Sequence, residues 1–337
     1  MDPVVALQRI GYLLEQRGVA LYRSRAFRRA ADTVREMGPD EVLRRLGEGT
    51  LRDVPGIGDT TAQVIEQAMR GDIPDYLARL EAEFATALPS PAFELRARLR
   101  GDCHAHTHWS DGKSSVEEMA HAARALGHGY LVITDHSPTL RIAKGLSAER
   151  LAAQLELIAQ LNHPFAPFRI LTGIEVDILE DGSLDQTPEL LSRLDVVVAS
   201  VHSKLRMDEQ AMTERMLTAI RNPHMDVLGH CTGRIVVGKG RRESIFDAER
   251  VLGACAEFGK AIEINSRPER LDPPRRLLRL ANAMGCRFCI NTDAHTPGQL
   301  DWQQNGCERA VECEIVPERI VNTWDAADLL AWTASHA

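Results

Sequence analysis

From Leu99 onward, short apolar segments alternate with helical patterns, and this alternation restricts the possible folds more than any other feature of the sequence. The seven segments with the length and composition of buried strands are Leu99–His106, Tyr130–Asp135, Arg169–Ile178, Val196–Ser203, Val227–His230, Ala261–Asn265 and Arg287–Asp293. The helical patterns between them include Ser115–Leu126, Ala148–Leu161, Glu209–Ile220, Ile245–Glu257 and Arg275–Met284. Alternating strands and helices predict a parallel α/β sheet or barrel, and seven such strands favour a barrel of the TIM kind.

Six of the seven predicted strands end in an imidazole or a carboxylate. The residues are His104, His106, Asp111, Asp135, His136, Glu175, His202, His230, Asp293 and His295. Since the reactive groups of a parallel barrel lie at the C-terminal ends of its strands, these side chains are expected to converge on one mouth. One histidine at a strand end is usually structural, but a set of this size is typical of a multinuclear metal site.

The densest part of this set is the segment 101–112, GDCHAHTHWSDG. Alternate side chains of a strand share a face, so His104 and His106 can point into one space, and Asp111 follows in the next turn. Two imidazoles and a carboxylate begin a site for zinc or a similar divalent metal. For this segment alone, a polar strand end with solvated histidines is the alternative.

The first 83 residues have a different pattern, which indicates a separate helical domain. Residues 1–36 read as two helices, and the second begins in an arginine-rich stretch that includes Arg25 and Arg28. This stretch is interpreted either as a solvated helix face or as a patch that contacts phosphates. In the segment LRDVPGIGD, Gly56 and Gly58 allow a tight turn before a helix, whose free backbone N–H groups can bind one DNA phosphate.

This turn, closed by the segment 73–77, resembles a helix-hairpin-helix element, and residues 1–83 resemble the small N-terminal DNA-binding domain of X-family DNA polymerases. In some of these polymerases the domain removes a 5′-deoxyribose phosphate through a lysine Schiff base, which requires an amine. The corresponding position here is Val64, and no lysine precedes Lys113. The resemblance therefore implies DNA binding without lyase activity. Residues 84–98 are predicted to form a linker, and the chain then passes to the histidine motif where a polymerase palm would begin.

Residues from 100 to about 325 resemble the PHP (polymerase and histidinol phosphatase) family of metal-dependent phosphoesterases, and closely the PHP domain of bacterial X-family polymerases. The motifs that carry this resemblance, in order, are HAHTHWSDG, TDHS, GIEVDILEDGSLD, VVASVHS, MTERM, GHCTGR, AIEINSRPERLD and NTDAH. The resemblance implies that residues 99–337 form a distorted (β/α)7 barrel that binds three divalent ions at its mouth. Together with residues 1–83, this predicts an α/β barrel preceded by a small all-α domain.

The same resemblance implies a ligand for each ion. His104, His106, Glu175 and Asp293 would hold the first, and Glu175 would bridge it to a second that is held by His202 and His230. Asp111, His136 and His295 would hold the third. This mixture of imidazole and carboxylate donors suits zinc, manganese or iron.

Other side chains near the motifs are candidates for binding phosphate or for orienting a ligand. Lys144, Arg234, Arg267 and Arg270 could neutralise phosphate oxygens as charge builds during hydrolysis, with Arg234 as the leading catalytic candidate. Asp135 is expected to orient a ligand histidine. The alternatives are ordinary surface ion pairs for the four cations and a helix cap for Asp135.

Composition limits the class and the location of the protein. The net charge of −8 argues against a broad basic surface for nucleic acid but leaves room for a local patch. No apolar run approaches the length of a membrane span, and the first residues lack the apolar core of a signal peptide. The seven cysteines follow no disulfide framework, which suits a reducing cytoplasm.

The sequence thus predicts a metal-dependent phosphoesterase that acts at DNA ends, as a 3′–5′ exonuclease, a 3′-phosphatase or an abasic-site nuclease. One alternative is a small-molecule phosphomonoesterase of the histidinol-phosphatase type, which would not need the N-terminal domain. Another, from a different class, is a DNA-binding adapter without catalytic activity, against which the complete set of donors argues.

Overall fold

The computed structural model describes residues 1–16, 21–84 and 90–336, and the chain divides into two units, Met1–Pro89 and Ser90–Ala337. Within these described ranges, no helix is long and apolar enough to cross a membrane.

The first unit is helical. Its helices are α1 (Pro3–Gln16), α2 (Leu21–Glu48), α3 (Asp59–Met69) and α4 (Asp75–Phe84). They bury a core that includes Leu7 and Ile10 of α1, Phe27 of α2 and Ile65 of α3. The range of α2 covers two helical stretches, because the backbone leaves the helical conformation at Gly38, where φ is 74° and ψ is 163°, next to Pro39.

The second unit contains seven parallel strands. They are β1 (Gly101–Ala105), β2 (Tyr130–Ile133), β3 (Arg169–Asp177), β4 (Val196–Ser200), β5 (Val227–Leu228), β6 (Ala261–Asn265) and β7 (Arg287–Asn291). The helices between and around them are α5 (Pro91–Arg98), α6 (Val116–Ala125), α7 (Ala148–Phe165), α8 (Pro188–Leu191), α9 (Glu209–Ile220), α10 (Ala248–Glu257), α11 (Arg275–Ala283), α12 (Gln303–Glu312) and α13 (Ala326–Ala334). Each strand pairs with its neighbour in chain order. The predicted α/β barrel is confirmed.

The join between β1 and β7 depends largely on side chains. One isolated bridge links Ala105 to Ala294, and the backbone N–H of His106 donates to the Ala294 carbonyl at 2.7 Å. Next to it, the buried amide of Asn322 donates to the carbonyl of Gly101 in β1 at 3.2 Å and to that of Ile290 in β7 at 3.0 Å. The barrel is therefore closed at this point by a side chain that bonds to both strands.

The linker predicted over residues 84–98 is wrong for its second half, where Pro91–Arg98 forms α5. The hydroxyl of Ser90 accepts a hydrogen bond from the Phe93 N–H at 3.2 Å, and Pro91 occupies the first turn, where its missing N–H costs nothing. Ala92 and Leu95 are buried. The proline that suggested a linker therefore begins a packed helix. Residues 85–89 lie outside the described part of the chain.

Candidate metal centre

The nine predicted metal ligands lie together at the C-terminal ends of the barrel strands. His104 and Glu175 belong to β1 and β3 themselves, whereas the others follow the ends of their strands by a few residues. Strand ends place donors well because the ladder fixes the backbone up to the last pair, and the following turn can then bend toward the axis. His104 and His106 are fully buried, while Asp111 at the rim is half-buried.

Glu175 occupies the centre of this group. Five imidazoles surround its carboxylate, at nitrogen-to-oxygen distances of 3.3 Å for His104, 3.5 Å for His106, 2.9 Å for His136, 3.2 Å for His202 and 2.8 Å for His230. Both carboxylate oxygens take part. One carboxylate among so many imidazoles has the position of a ligand shared between ions.

Three overlapping sets of donor atoms are close enough to hold an ion. The first is His106, Asp111, His136 and His295, the second is His104, His106 and Glu175, and the third is His136, Glu175 and His202. Asp293 adjoins them, with Oδ1 at 3.4 Å from His106 Nε2. His230 adjoins them through Glu175, so all nine predicted ligands lie together, and His106, His136 and Glu175 each belong to two sets.

Many buried nitrogen and oxygen atoms of these side chains have no hydrogen-bond partner, as expected for metal ligands. The buried atoms without a hydrogen bond include His104 Nε2, His136 Nδ1, both ring nitrogens of His106, His202 and His230, and both carboxylate oxygens of Glu175. Buried polar atoms are rarely left without a partner in proteins. Imidazole and carboxylate donors aimed at a common space satisfy this rule when cations lie between them.

The charges in the cluster depend on close neighbours. Burial alone would raise the pKa of the Glu175 carboxyl, but His104, His202 and His136 hold that pKa well below its usual value. Burial together with His295 and His136 lowers the pKa of His106 to about 3. Glu175 is therefore an anion and His106 a neutral imidazole, the forms in which each residue binds a metal.

Two buried carboxylates that were not predicted as site residues hold the ligand histidines in place. Glu263 accepts hydrogen bonds from His104 Nδ1 at 2.6 Å and from the backbone N–H of His230 at 2.7 Å. Asp177 accepts from the backbone N–H of His202 at 3.1 Å. The Nδ1 contact fixes the ring orientation of His104, whereas the two backbone contacts fix the chain at His230 and His202. The signal for Glu263 is a carboxylate inside the apolar strand AIEIN, on the only predicted strand without an assigned donor.

Asp135 has a different role from the one predicted. Its carboxylate holds the loop after β1, where it accepts hydrogen bonds from the backbone N–H groups of Thr107 at 2.8 Å and Ser110 at 3.2 Å and from both hydroxyls. The side chain of Gln154 in α7 donates a further bond at 2.7 Å. The expectation that Asp135 orients a ligand histidine is corrected: it fixes the segment between His106 and Asp111.

Replacing Asp135 with asparagine should lower the free energy of unfolding by about 2–3 kcal/mol, because an amide loses the charge and turns an N–H group toward the donors of Gln154 or Ser110. Urea unfolding of the full chain measures this effect. Asp325→Asn is the matched control, since asparagine can also cap the helix that Asp325 begins. Equal stability of the D135N variant and the wild type would contradict the assignment.

The donors open into a cavity of about 390 Å³ that has a cationic wall. Arg267 and Arg270 line it beside Asp111, His136 and His295. Each arginine also contacts Asp293, Arg267 at 3.3 Å and Arg270 at 3.1 Å. Both are placed where the sequence analysis expected phosphate-binding cations.

The other two cations predicted to bind phosphate are directed elsewhere. Arg234 donates from Nε to the carbonyl of Arg270 at 3.1 Å and from Nη2 to that of Leu271, and it lies 3.5 Å from Glu243. It therefore holds the loop that carries Arg270. Lys144 is an exposed residue with φ of 57° that ends a 3₁₀ turn, and it is not part of the cavity wall. The phosphate-binding role predicted for both is corrected, as is the catalytic role of Arg234.

The first unit has a pocket of its own, of about 520 Å³, at the start of α3. Gly56 and Gly58 line it together with Arg23 and Tyr76. Gly56 has φ of 97°, a backbone conformation that favours glycine, and a Cβ there would lie 3.0 Å from the side chain of Arg29. The predicted glycines thus border a pocket with an arginine, but that arginine is Arg23. Arg25 is exposed and Arg28 half-buried, and neither lines the pocket.

The sequence of this chain is similar to a known protein family and to several known proteins. The family model described as PHP domain matches residues 102–267. The chain is 39% identical over 236 residues to a Bacillus subtilis protein named DNA polymerase/3'-5' exonuclease PolX, covering 70% of this chain and 41% of that protein, so it spans less than half of that relative's length. It is 31% identical over 214 residues to a protein of Caldanaerobacter subterraneus subsp. tengcongensis named "Probable phosphatase", covering 60% of this chain and 78% of that protein.

The chain also matches solved structures, and one of them is given as an example. It is histidinol phosphate phosphatase from Lactococcus lactis, complexed with zinc, L-histidinol and phosphate, at a TM-score of 0.45 and 20% sequence identity. The match covers 64% of this chain and 92% of that one.

Proposed function

Because the chain belongs to the PHP domain family and is a metal-dependent phosphoesterase, we propose that its substrates are phosphate esters at DNA ends, hydrolysed as a 3′–5′ exonuclease, a 3′-phosphatase or an abasic-site nuclease. The observation that carries this proposal is the helical unit in front of the barrel, whose pocket combines the Gly56–Gly58 turn with Arg23. A phosphomonoesterase for small molecules does not require such a unit. The relative named DNA polymerase/3'-5' exonuclease PolX supports the same substrate class.

The nine donors would hold up to three ions, of zinc, manganese or iron. Divalent ions bound there would supply a water of lowered pKa as the nucleophile and would offset the negative charge of the phosphate. Among the side chains, Glu175 contributes the anionic centre, Glu263 keeps the His104 imidazole oriented, and Asp177 holds the backbone at His202. Arg267 and Arg270 bind the non-bridging phosphate oxygens from the cavity wall, where their positive charges stabilise the transition state.

A second candidate, hydrolysis of a small phosphomonoester, has two observations in its favour. The phosphatase relative aligns over most of its own length with this chain. The cavity of about 390 Å³ is also within the range of roughly 300–1,000 Å³ that is common for small-ligand pockets. Histidinol phosphate is the appropriate test substrate for this second function.

Hydrolysis rates separate the two candidates. The full chain, supplied with Mn²⁺, is given a labelled oligonucleotide with a recessed 3′ end and, separately, histidinol phosphate. We expect the higher kcat/KM on the oligonucleotide. Release of phosphate from histidinol phosphate alone, with the oligonucleotide intact, would exclude the DNA-end function and leave the small-molecule phosphatase.

Replacing Arg23 with alanine should weaken DNA binding without changing sequence preference. Loss of one phosphate contact lowers the slope of log affinity against log salt by about 1 and affects all sequences equally. Fluorescence anisotropy over a salt series measures this slope. Arg35→Ala is the control, since Arg35 lies in the same helix and pairs with Asp32 at 2.8 Å. Identical slopes for R23A and R35A would remove the first unit's pocket from the proposed DNA site.

A further inference from the structure

The cavity at the metal centre has an apolar wall that phosphate binding leaves unexplained. Leu140, Ile142 and Ile235 line it, and Arg267 and Arg270 line the same space. Ile142 is 94% exposed, the most exposed of the large apolar side chains in the described part of the molecule. A single exposed isoleucine is ordinary in a soluble protein. Ile142, however, lies in the wall of a catalytic cavity beside two further apolar side chains, and this position needs an explanation.

The loop that carries Ile142 is held firmly, so the exposure does not reflect a lack of local structure. Thr139 donates from its backbone N–H to Asp185 at 2.7 Å and from its hydroxyl at 2.6 Å. Arg150 donates to the carbonyl of Lys144 at 2.7 Å. Gly145 crosses so close to Ser137 that an added Cβ would lie 1.8 Å from the Ser137 carbonyl oxygen. The loop therefore presents Ile142 in a fixed position at the cavity rim.

We propose that Ile142, together with Leu140 and Ile235, packs against the nucleobase of the nucleotide whose phosphate ester is hydrolysed, an inference that rests on the proposed DNA-end function. The two walls match the two chemical parts of a nucleotide. The arginines suit the anionic phosphate, and the aliphatic side chains suit the apolar face of a base. Because aliphatic groups offer no donor or acceptor to a base edge, this contact detects that a base is present without reading which base it is.

The test combines one protein variant with removal of one base. Ile142→Ala and wild type are compared on two oligonucleotides that differ only in the 3′-terminal nucleotide, which is either intact or lacks its base. We expect the variant to lose about five- to tenfold in kcat/KM on the intact oligonucleotide, the scale of losing part of one buried aliphatic side chain. On the abasic end its loss should be less than about twofold, because the partner of Ile142 is already absent.

Ile245→Ala serves as the control, since Ile245 is 65% exposed and does not line the cavity. It should match the wild type on both oligonucleotides. If the wild type cleaves the oligonucleotides but I142A loses the same factor on both, or nothing on either, the base contact is refuted and the DNA-end function stands. If the wild type cleaves neither, the DNA-end function itself fails, and the base contact fails with it.

Discussion

Replacing Glu175 with glutamine should lower phosphoesterase activity by roughly 10³-fold or more and reduce the metal content of the purified protein. The carboxylate lies within 3.5 Å of five imidazoles and is almost fully buried, so an amide removes the one anion at the centre of the cluster. Charge stabilisation by bound metal is worth several kcal/mol, and each 1.36 kcal/mol is about a factor of ten in rate. Steady-state kinetics and elemental analysis of the same preparation measure both effects.

Glu180→Gln is a suitable control for this experiment. Glu180 follows the same strand but is 61% exposed in its side chain and forms only a surface ion pair with Lys204. Treatment of the wild type with a chelator should reproduce the inactivity of E175Q, and Mn²⁺ should restore activity to the wild type alone. Full activity and full metal content in E175Q would refute the role of Glu175 as a shared ligand.

Replacing Glu263 with glutamine should lower the free energy of unfolding by about 2–4 kcal/mol and weaken metal binding about 10- to 100-fold. Its two oxygens accept bonds from His104 Nδ1, the His230 N–H and the side-chain amides of Asn265 and Asn291, all buried. The amide of glutamine would turn an N–H group toward some of these donors and leave them unpaired. Loss of a partner that orients a ligand histidine has the stated effect on metal affinity.

Thermal unfolding and a competition assay for metal affinity measure the two consequences of E263Q. Glu257→Gln, at an exposed position in α10, is the control for the loss of one charge from the same unit. A variant with wild-type stability and wild-type metal affinity would mean that Glu263 does not orient His104.

The barrel and its donor set are predictable because both follow from local periodicity. Apolar segments of strand length between helical patterns determine the parallel sheet, and the position of a histidine or carboxylate at the end of such a segment determines the end of the barrel on which it lies. His106, His202 and His230 are recognised in this way without knowledge of their partners. The linker fails because a proline marks a helix start as readily as a break.

The roles of the other side chains depend on contacts that local sequence does not contain. Arg234 and Arg270 are equally plausible as phosphate ligands from spacing alone, but the path of the loop after β6 directs Arg270 to the cavity and Arg234 to that loop's carbonyls. Asp135 adjoins a ligand histidine in sequence, yet its carboxylate turns to Thr107 and Ser110. Glu263 was missed because its predicted strand ends in Asn265, so no imidazole or carboxylate at the strand end pointed to it.

The side-chain closure between β1 and β7 has a consequence for the spacing of the metal donors. His104 and His106 lie on the β1 side of this join, and Asp293 and His295 lie on the β7 side. Asn322 bonds to both strands from outside the cavity. Gln303 donates to the same two carbonyls at 3.0 Å each, so two side chains that do not line the cavity link the two sides of the donor set. Replacing either residue is therefore expected to change the distance between the two groups of donors while leaving every donor in place.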